Sequence, residues 1–340
     1  MTAYEEQARG GGQETHGAHG SHGSHEPRKS HGHGGGHGHG HGHGHGHGGG
    51  AEIDWVEMGP VLEQNAEVTA PVYRDVAAWL RELRGPGGEP GLVVDAGSGP
   101  GVVTCLLAEA FPAARVVAAD PERALLERAA ARAERLGLGD RVSTHQAELP
   151  DGLGALPPAE LIWAARSVHH VGDQVAALAA LGDRLAPGGA LAVLEGGLPP
   201  RSLPRDIGIG RPGLQARLDA ANEEWFTRMR ASLPGAKETV EDWPSLLAEA
   251  GLRHTATRSF LLDLPAPLDD RARAHVIAVF ERYRHLADPA EAEEGGVSPL
   301  SPQDAAVLDR LLDPADPRSL HRRSDAYLLV AHTVHVAVRD

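Results

Sequence analysis

The sequence predicts an α/β chain built on a doubly wound, seven-stranded, mostly parallel sheet, with N-terminal helices and a helical insertion added to it. Three observations predict it. Short apolar runs alternate with helix-length segments between residues 90 and 197, the pattern of a parallel sheet with helices on both faces. The first of these runs ends in an acid and a glycine-rich loop, where a strand hands over to a helix. Aromatic residues make up only 4% of the 340 residues, and the Ala-, Leu- and Val-rich remainder suits interleaved helices and strands.

The elements follow in order. Residues 1–50 hold 12 of the 21 histidines and 18 of the 43 glycines, so they read as a tract too poor in apolar groups to offset the entropy of ordering it. Between 51 and 90, Val61, Leu62, Val68, Val72, Val76, Leu80 and Leu83 recur at helical spacing. Pro60 and Pro71 are expected to cut this segment into short helices that cover the site, before a Gly- and Pro-rich linker at 84–90. The core, 91–197, then reads as strands at 91–95, 115–120, 141–145, 160–164 and 190–195. Helices fall between them, one of them starting with Pro121 in its first turn and stopping at Gly137, and Pro187-Gly188-Gly189 forms a turn before the fifth strand. Residues 198–238 form the insertion, whose helix carries Leu214, Leu218, Ala221, Trp225 and Met229 on one face. In 239–340, Thr239 and Asp242 pair as a helix cap, a strand covers 252–264, Ser301 opens another helix, and a last strand covers 326–338.

Composition narrows function. The net charge is −15, of which three basic and four acidic residues in the first 50 contribute −1; such a surface repels phosphate backbones and disfavours nucleic-acid substrates. Cys105 is the single cysteine, which rules out an internal disulfide or a thiolate metal cluster. No apolar stretch approaches the ~18 residues of a membrane span, and the N-terminus lacks an export signal. The expectation is a cytoplasmic protein that neither enters a membrane nor binds nucleic acid; the oligomeric state is not readable.

The sharpest signal is Val93-Val94-Asp95-Ala96-Gly97-Ser98-Gly99-Pro100-Gly101. Its glycines let the backbone turn tightly and approach a ligand, and the next helix offers N-terminal amides. The third glycine comes one residue earlier than a dinucleotide fingerprint requires. An acid beside a pyrophosphate costs energy, whereas beside a sulfonium and an ammonium it is favourable, so Asp95 points to S-adenosylmethionine. Asp120 ends the second strand about 20 residues on, where a carboxylate can accept both ribose hydroxyls; its other reading is a simple helix cap. Glu148, after the third strand, can accept from an adenine amino group or be a surface acid.

With Leu161-Ile162-Trp163-Ala164, His169-His170 and Leu185-Ala186-Pro187-Gly188-Gly189, these residues make the chain resemble the class I S-adenosylmethionine-dependent methyltransferases over about 90 to 197. The resemblance implies a seven-stranded sheet whose last strand is antiparallel. It assigns the cofactor's methionine portion to Asp95, Ala96, Gly97, Ser98, Gly99 and Gly101, its ribose to Asp120 with Pro121, and its adenine to Glu148 with Leu149. It puts His169 and His170 near the transferred methyl, either as a base for a hydroxyl or amine or as residues that shape the pocket. The acceptor it implies is a small molecule such as a quinone, phenol or polyketide, selected by the N-terminal helices and by Trp225, Phe226 and Met229.

The repeat His37, His39, His41, His43, His45 and His47 can chelate Ni²⁺, Zn²⁺ or Cu²⁺ through several imidazoles at once; the plain reading is a solvated linker. A rival to the enzyme follows: a metal-binding or metal-responsive protein with a catalytically silent methyltransferase-like domain. The intact loop and both acids favour the enzyme.

Overall fold

A computed structural model describes residues 55–148, 151–287 and 300–340. Its chain order is helix α1 (Trp55–Arg84), β1 (Leu92–Ala96), α2 (Val102–Ala110), β2 (Arg115–Asp120), α3 (Arg123–Arg135), β3 (Val142–Gln146), β4 (Ala159–Ala165), α4 (Gln174–Asp183) and β5 (Leu185–Arg201). There follow α5 (Leu214–Ser232), α6 (Trp243–Glu249), β6 (Arg253–Leu264), α7 (Asp270–Arg282), α8 (Pro302–Leu312) and β7 (Leu328–Val338). The seven strands lie in the order β3-β2-β1-β4-β5-β7-β6. The first four pairings are parallel, and β7 runs antiparallel to both neighbours.

Alternation along the strands builds a core on each face. Val93, Val116, Leu161, Trp163 and Ala192 point to one side, where α1, α2, α5, α7 and α8 supply the partners. Val94, Val117, Ile162, Ala164 and Val193 point to the other and pack on α4 and α6. Side chains cap the helices that follow loops: Asp173, Asp242, Asp269 and Ser301 each accept from the backbone N–H three residues on.

Four expectations need correction. The segment expected as short helices is one 30-residue helix with Pro60 and Pro71 inside it. Losing one backbone bond costs ~3 kcal/mol at an interior proline; burial of Val68, Val72, Val76, Trp79 and Leu80 gives back about 1.5–3 kcal/mol each. Thr69 also donates its hydroxyl to the carbonyls of Asn65 and Ala66, one turn before Pro71. The fifth strand is longer at both ends than residues 190–195. Leu185 already pairs with Ala159, and beyond Glu195 the chain stays extended because β7 pairs Gly197 with His332 and Arg201 with Leu329. Pro121 precedes α3, whose N-cap is Glu122, because the Asp120 carboxylate already engages the Glu122 N–H. Thr239 takes no part in capping α6; its hydroxyl donates to the Lys237 carbonyl.

Candidate functional site

The carboxyl ends of β1, β2, β4 and β5 converge on one edge of the sheet, where the strand order turns back and ligands of open α/β folds bind. At the end of β1, Asp95 is 2% exposed and its Oδ2 accepts from the Thr104 hydroxyl at 2.6 Å. Burial, opposed by that hydrogen bond and reinforced by the nearby Asp120 charge, raises its pKa to about 7. Ala96 is buried, and the N–H groups of Gly97 and Ser98 both donate to the Ala119 carbonyl at the end of β2. The loop is thereby tied to the second strand.

Two of its glycines are demanded by geometry. Gly101 has φ +78°, and a Cβ there would stand 2.4 Å from the Ala129 Cβ of α3, so any other residue would separate α2 from α3. Gly99 has φ +54° with open space where a side chain would lie, which leaves its backbone bare toward a ligand. Asp120 is 6% exposed; its Oδ2 accepts from Gly99 N–H and its Oδ1 from Glu122 N–H, both at 2.9 Å. Asp120 is thus both the fixing point of the loop and an acceptor held in place, with Pro121 half-buried beside it.

Glu148 is exposed. It stands next to Ala147, whose N–H donates to the Asp120 carbonyl, so the three acids Asp95, Asp120 and Glu148 follow the ends of neighbouring strands. Leu149 lies outside the described residues, as do His37, His39, His41, His43, His45 and His47. Among the described residues no group of three or more His, Cys, Asp or Glu could hold a metal ion, and no helix is long and apolar enough to cross a membrane.

Beyond β4 the chain makes a tight turn. Arg166 takes φ +52°, the one non-glycine residue with positive φ among the described residues, and its N–H donates to the Leu194 carbonyl of β5. Val168–His170 forms a single 3₁₀ turn. The buried Glu195, at 3% exposed, organises it: Oε1 accepts from Val168 N–H at 3.1 Å, and Oε2 lies 2.7 Å from His169 Nδ1. The His169 ring sits 4.1 Å from that of His170 and 5.6 Å from Phe226 of α5. Arg230 of α5 donates to the carbonyls of His169 and Val171. The insertion helix therefore covers the histidine pair, while Trp225 faces His285 with ring centroids 4.6 Å apart and Met229 is half-buried.

Glu195 is the partner that sequence reasoning missed. It carries the signal that singled out Asp95 and Asp120, an acid closing an apolar strand, and it holds one histidine by a carboxylate–imidazole contact that fixes the tautomer. Thr104 and Arg166 were missed as well, and neither has a distinguishing local pattern.

The residues fit a cationic adenosyl ligand. A buried carboxyl whose pKa rises for want of a counter-charge is stabilised by a positive group placed beside it, and a phosphate there would be repelled.

A family described as a methyltransferase domain matches residues 93–189. The chain is 32% identical over 229 residues to the trans-aconitate 2-methyltransferase of Methylobacterium nodulans, covering 62% of this chain and 83% of that protein. It is 32% identical over 224 residues to the enzyme of the same name from Methylobacterium radiotolerans, covering 60% and 81%. A solved geranyl diphosphate methyltransferase, in complex with GPP and sinefungin, superposes with TM-score 0.41 at 16% identity, covering 78% of this chain and 77% of that one. With the matched domain spanning the glycine loop, both strand-end acids and the histidine turn, the chain belongs to the class I S-adenosylmethionine-dependent methyltransferases and is an enzyme of that kind.

Proposed function

We propose that this enzyme methylates a small-molecule acceptor seated at the carboxyl edge of β4 and β5, at an oxygen, nitrogen or carbon nucleophile. The observation that carries the reading is the cover over that edge: α5 lays Phe226 and Arg230 on the His169 turn, and α1 packs along α2 on the same face. Such a cover favours a small acceptor over a polymer. The relatives named trans-aconitate 2-methyltransferase support a small organic acid.

When bound, S-adenosylmethionine supplies a methyl group already activated on a sulfonium. The chain's own residues bind and orient. Asp95, Ala96, Gly97, Ser98, Gly99 and Gly101 cradle the methionine end, with the Asp95 carboxylate answering its positive charge. Asp120 accepts from the ribose hydroxyls, and Glu148 borders the adenine. Glu195 holds His169 with Nδ1 engaged, which leaves Nε2 as the free ring nitrogen. Since methyl transfer from a sulfonium needs mainly alignment, we assign His169 and His170 to positioning the acceptor.

The test is a thermal-shift titration with S-adenosylhomocysteine followed by a radiolabelled methyl-transfer screen over cell extract. The product is expected to raise the melting temperature, and label should enter extractable small molecules. Stabilisation by NAD in its place, or label found in precipitated protein or RNA, would overturn the reading.

A further inference from the structure

On the acceptor side of the sheet, four elements bring cationic and imidazole side chains together. Arg166, just after β4, lies with Nη2 3.0 Å from Nδ1 of His332 on β7. His332 is 1% exposed, and its Nε2 has no hydrogen-bond partner. Tyr73 of α1 stacks on the His332 ring at 6.5 Å and meets Trp163 of β4 edge-on at 6.4 Å. The Trp163 indole N–H is likewise buried without a partner. Tyr73 also packs on Val102 and Leu106 of α2, the helix that begins at the glycine loop, so the cluster adjoins the cofactor side.

The fourth element is α7. His275 and Arg282 are seven residues apart and share a face of that helix. His275 Nδ1 lies 2.9 Å from Asn65 Oδ1, on the same stripe of α1 as Tyr73. Burial, then the charges of Arg282 and Arg166, push the His275 pKa down to about 4; burial, then Arg166 and His275, push that of His332 down to about 3. Both imidazoles are therefore neutral at pH 7, and the positive charge rests on the two guanidiniums.

Arg282 is reachable by solvent, yet burial is the first cause that lowers its pKa, followed by Arg166. Arg166 is exposed as well, so a ligand can reach both guanidiniums. Neither Arg166 nor Arg282 has a carboxylate partner among the described residues. Their neighbours differ: Arg201 is bonded to Asp219, whose other oxygen accepts from Tyr283 at 2.7 Å, and Arg211 and Arg217 share Asp304. Two guanidiniums near enough to feel one another's charge, with no carboxylate partner among the described residues, repel one another, and an anion held between them relieves that repulsion.

We propose that Arg166 and Arg282 form an anion subsite that binds a carboxylate of the methyl acceptor, with His275, His332 and the Trp163 indole completing its wall. The subsite rests on the reading of the enzyme as a small-molecule methyltransferase and specifies it: the acceptor is an organic acid with a carboxylate besides its nucleophilic atom. Two planar forks suit that group, each able to give two parallel N–H···O bonds.

The experiment titrates citrate, neutral trimethyl citrate and inorganic phosphate into the full-length protein saturated with S-adenosylhomocysteine, by calorimetry. Citrate should bind, and R166Q and R282Q should each weaken it at least about tenfold, which is ~1.4 kcal/mol, while S-adenosylhomocysteine affinity stays unchanged. Both variants should melt at or above the wild-type temperature, because they relieve repulsion. R282K, which keeps the charge and loses the fork, should retain only part of the citrate affinity, and it carries the result if R282Q fails to fold. Equal citrate affinity in wild type and variants, or equal binding of the neutral ester, overturns the subsite. Phosphate binding tighter than citrate overturns its assignment to carboxylates. Failure of S-adenosylhomocysteine to bind wild type would instead sink the methyltransferase reading, and citrate titrated without it still reports on the arginines.

Discussion

The two halves of the ligand edge are electrostatic opposites. On the glycine-loop side, Asp95 and Asp120 are buried and Glu148 stands beside them, and the Asp95 carboxyl holds its proton up to about 7. On the acceptor side, burial first and then nearby positive charge, from Arg282 and Arg166 at His275 and from Arg166 at His332, hold both imidazole pKa values far below the usual range. Each half concentrates one sign of charge, on buried carboxyls at Asp95 and Asp120 and on exposed guanidiniums at Arg166 and Arg282. Sites of this kind raise the free energy of the empty protein and lower that of the filled one. The comparison teaches that charge, more than shape, separates the two ligands of the reaction: a cation cannot settle on the arginine side, nor an anion on the aspartate side.

The largest effect is expected from removing the acid half. Asp95→Ala should abolish the melting-temperature rise given by S-adenosylhomocysteine, and Asp120→Ala should reduce it clearly. Asp95→Asn sharpens the point, since it keeps an oxygen for the Thr104 hydroxyl and removes the buried charge. At pH 8 the ligand-free Asp95→Asn protein should melt several degrees higher than wild type, at about 2–4 °C per kcal/mol for a chain of this size, and still respond little to ligand. A full ligand response in the alanine variant would break the comparison.

A smaller effect is expected where the halves meet. His169→Gln should lower turnover by less than about 10²-fold, with cofactor affinity slightly weakened, because the imidazole positions the acceptor. A loss of 10²–10⁴-fold, with a pH limb near neutrality gone and cofactor binding intact, would make His169 the base, with Glu195 as its orienting carboxylate.

The smallest effect is a slope of stability with pH. The depressed pKa values of His275 and His332 contribute stability that is full above the unfolded value near 6.5 and is lost as pH falls toward about 4 and about 3. Asp95 works in the opposite sense: its raised pKa means the folded state takes up the proton first, so its contribution improves as pH falls from about 7 toward 3.8. Between pH 7 and 5 the two trends offset each other in wild type. In Asp95→Asn only the histidines remain, and its melting temperature should fall more steeply over that interval, by a few degrees. Parallel profiles for the two proteins would show that one of the buried groups titrates normally.

The sequence made one half far more legible than the other. Asp95, its glycines and Asp120 lie within 26 residues, and their contacts are the ones a strand-loop-helix passage must make, so residue type and spacing alone pointed to them. The same holds for the cap at Ser301. The acceptor side is assembled at long range: Arg166 meets His332 across 166 residues, and Asn65 meets His275 across 210. No local pattern announces such pairs. The same cause hid the continuity of α1 through Pro71 and the extension of β5 beyond Glu195, since both depend on partners supplied by distant helices and by the last strand.

Arg166 carries one further consequence, through its backbone rather than its charge. At φ +52° a side chain costs roughly 1–2 kcal/mol that glycine would not. A library of variants ranked by cellular abundance would therefore favour Gly at this position, and the same library ranked by product formed would reject it. Disagreement of that kind, at a single codon, is the mark of a residue whose presence is maintained by the reaction at the expense of the fold.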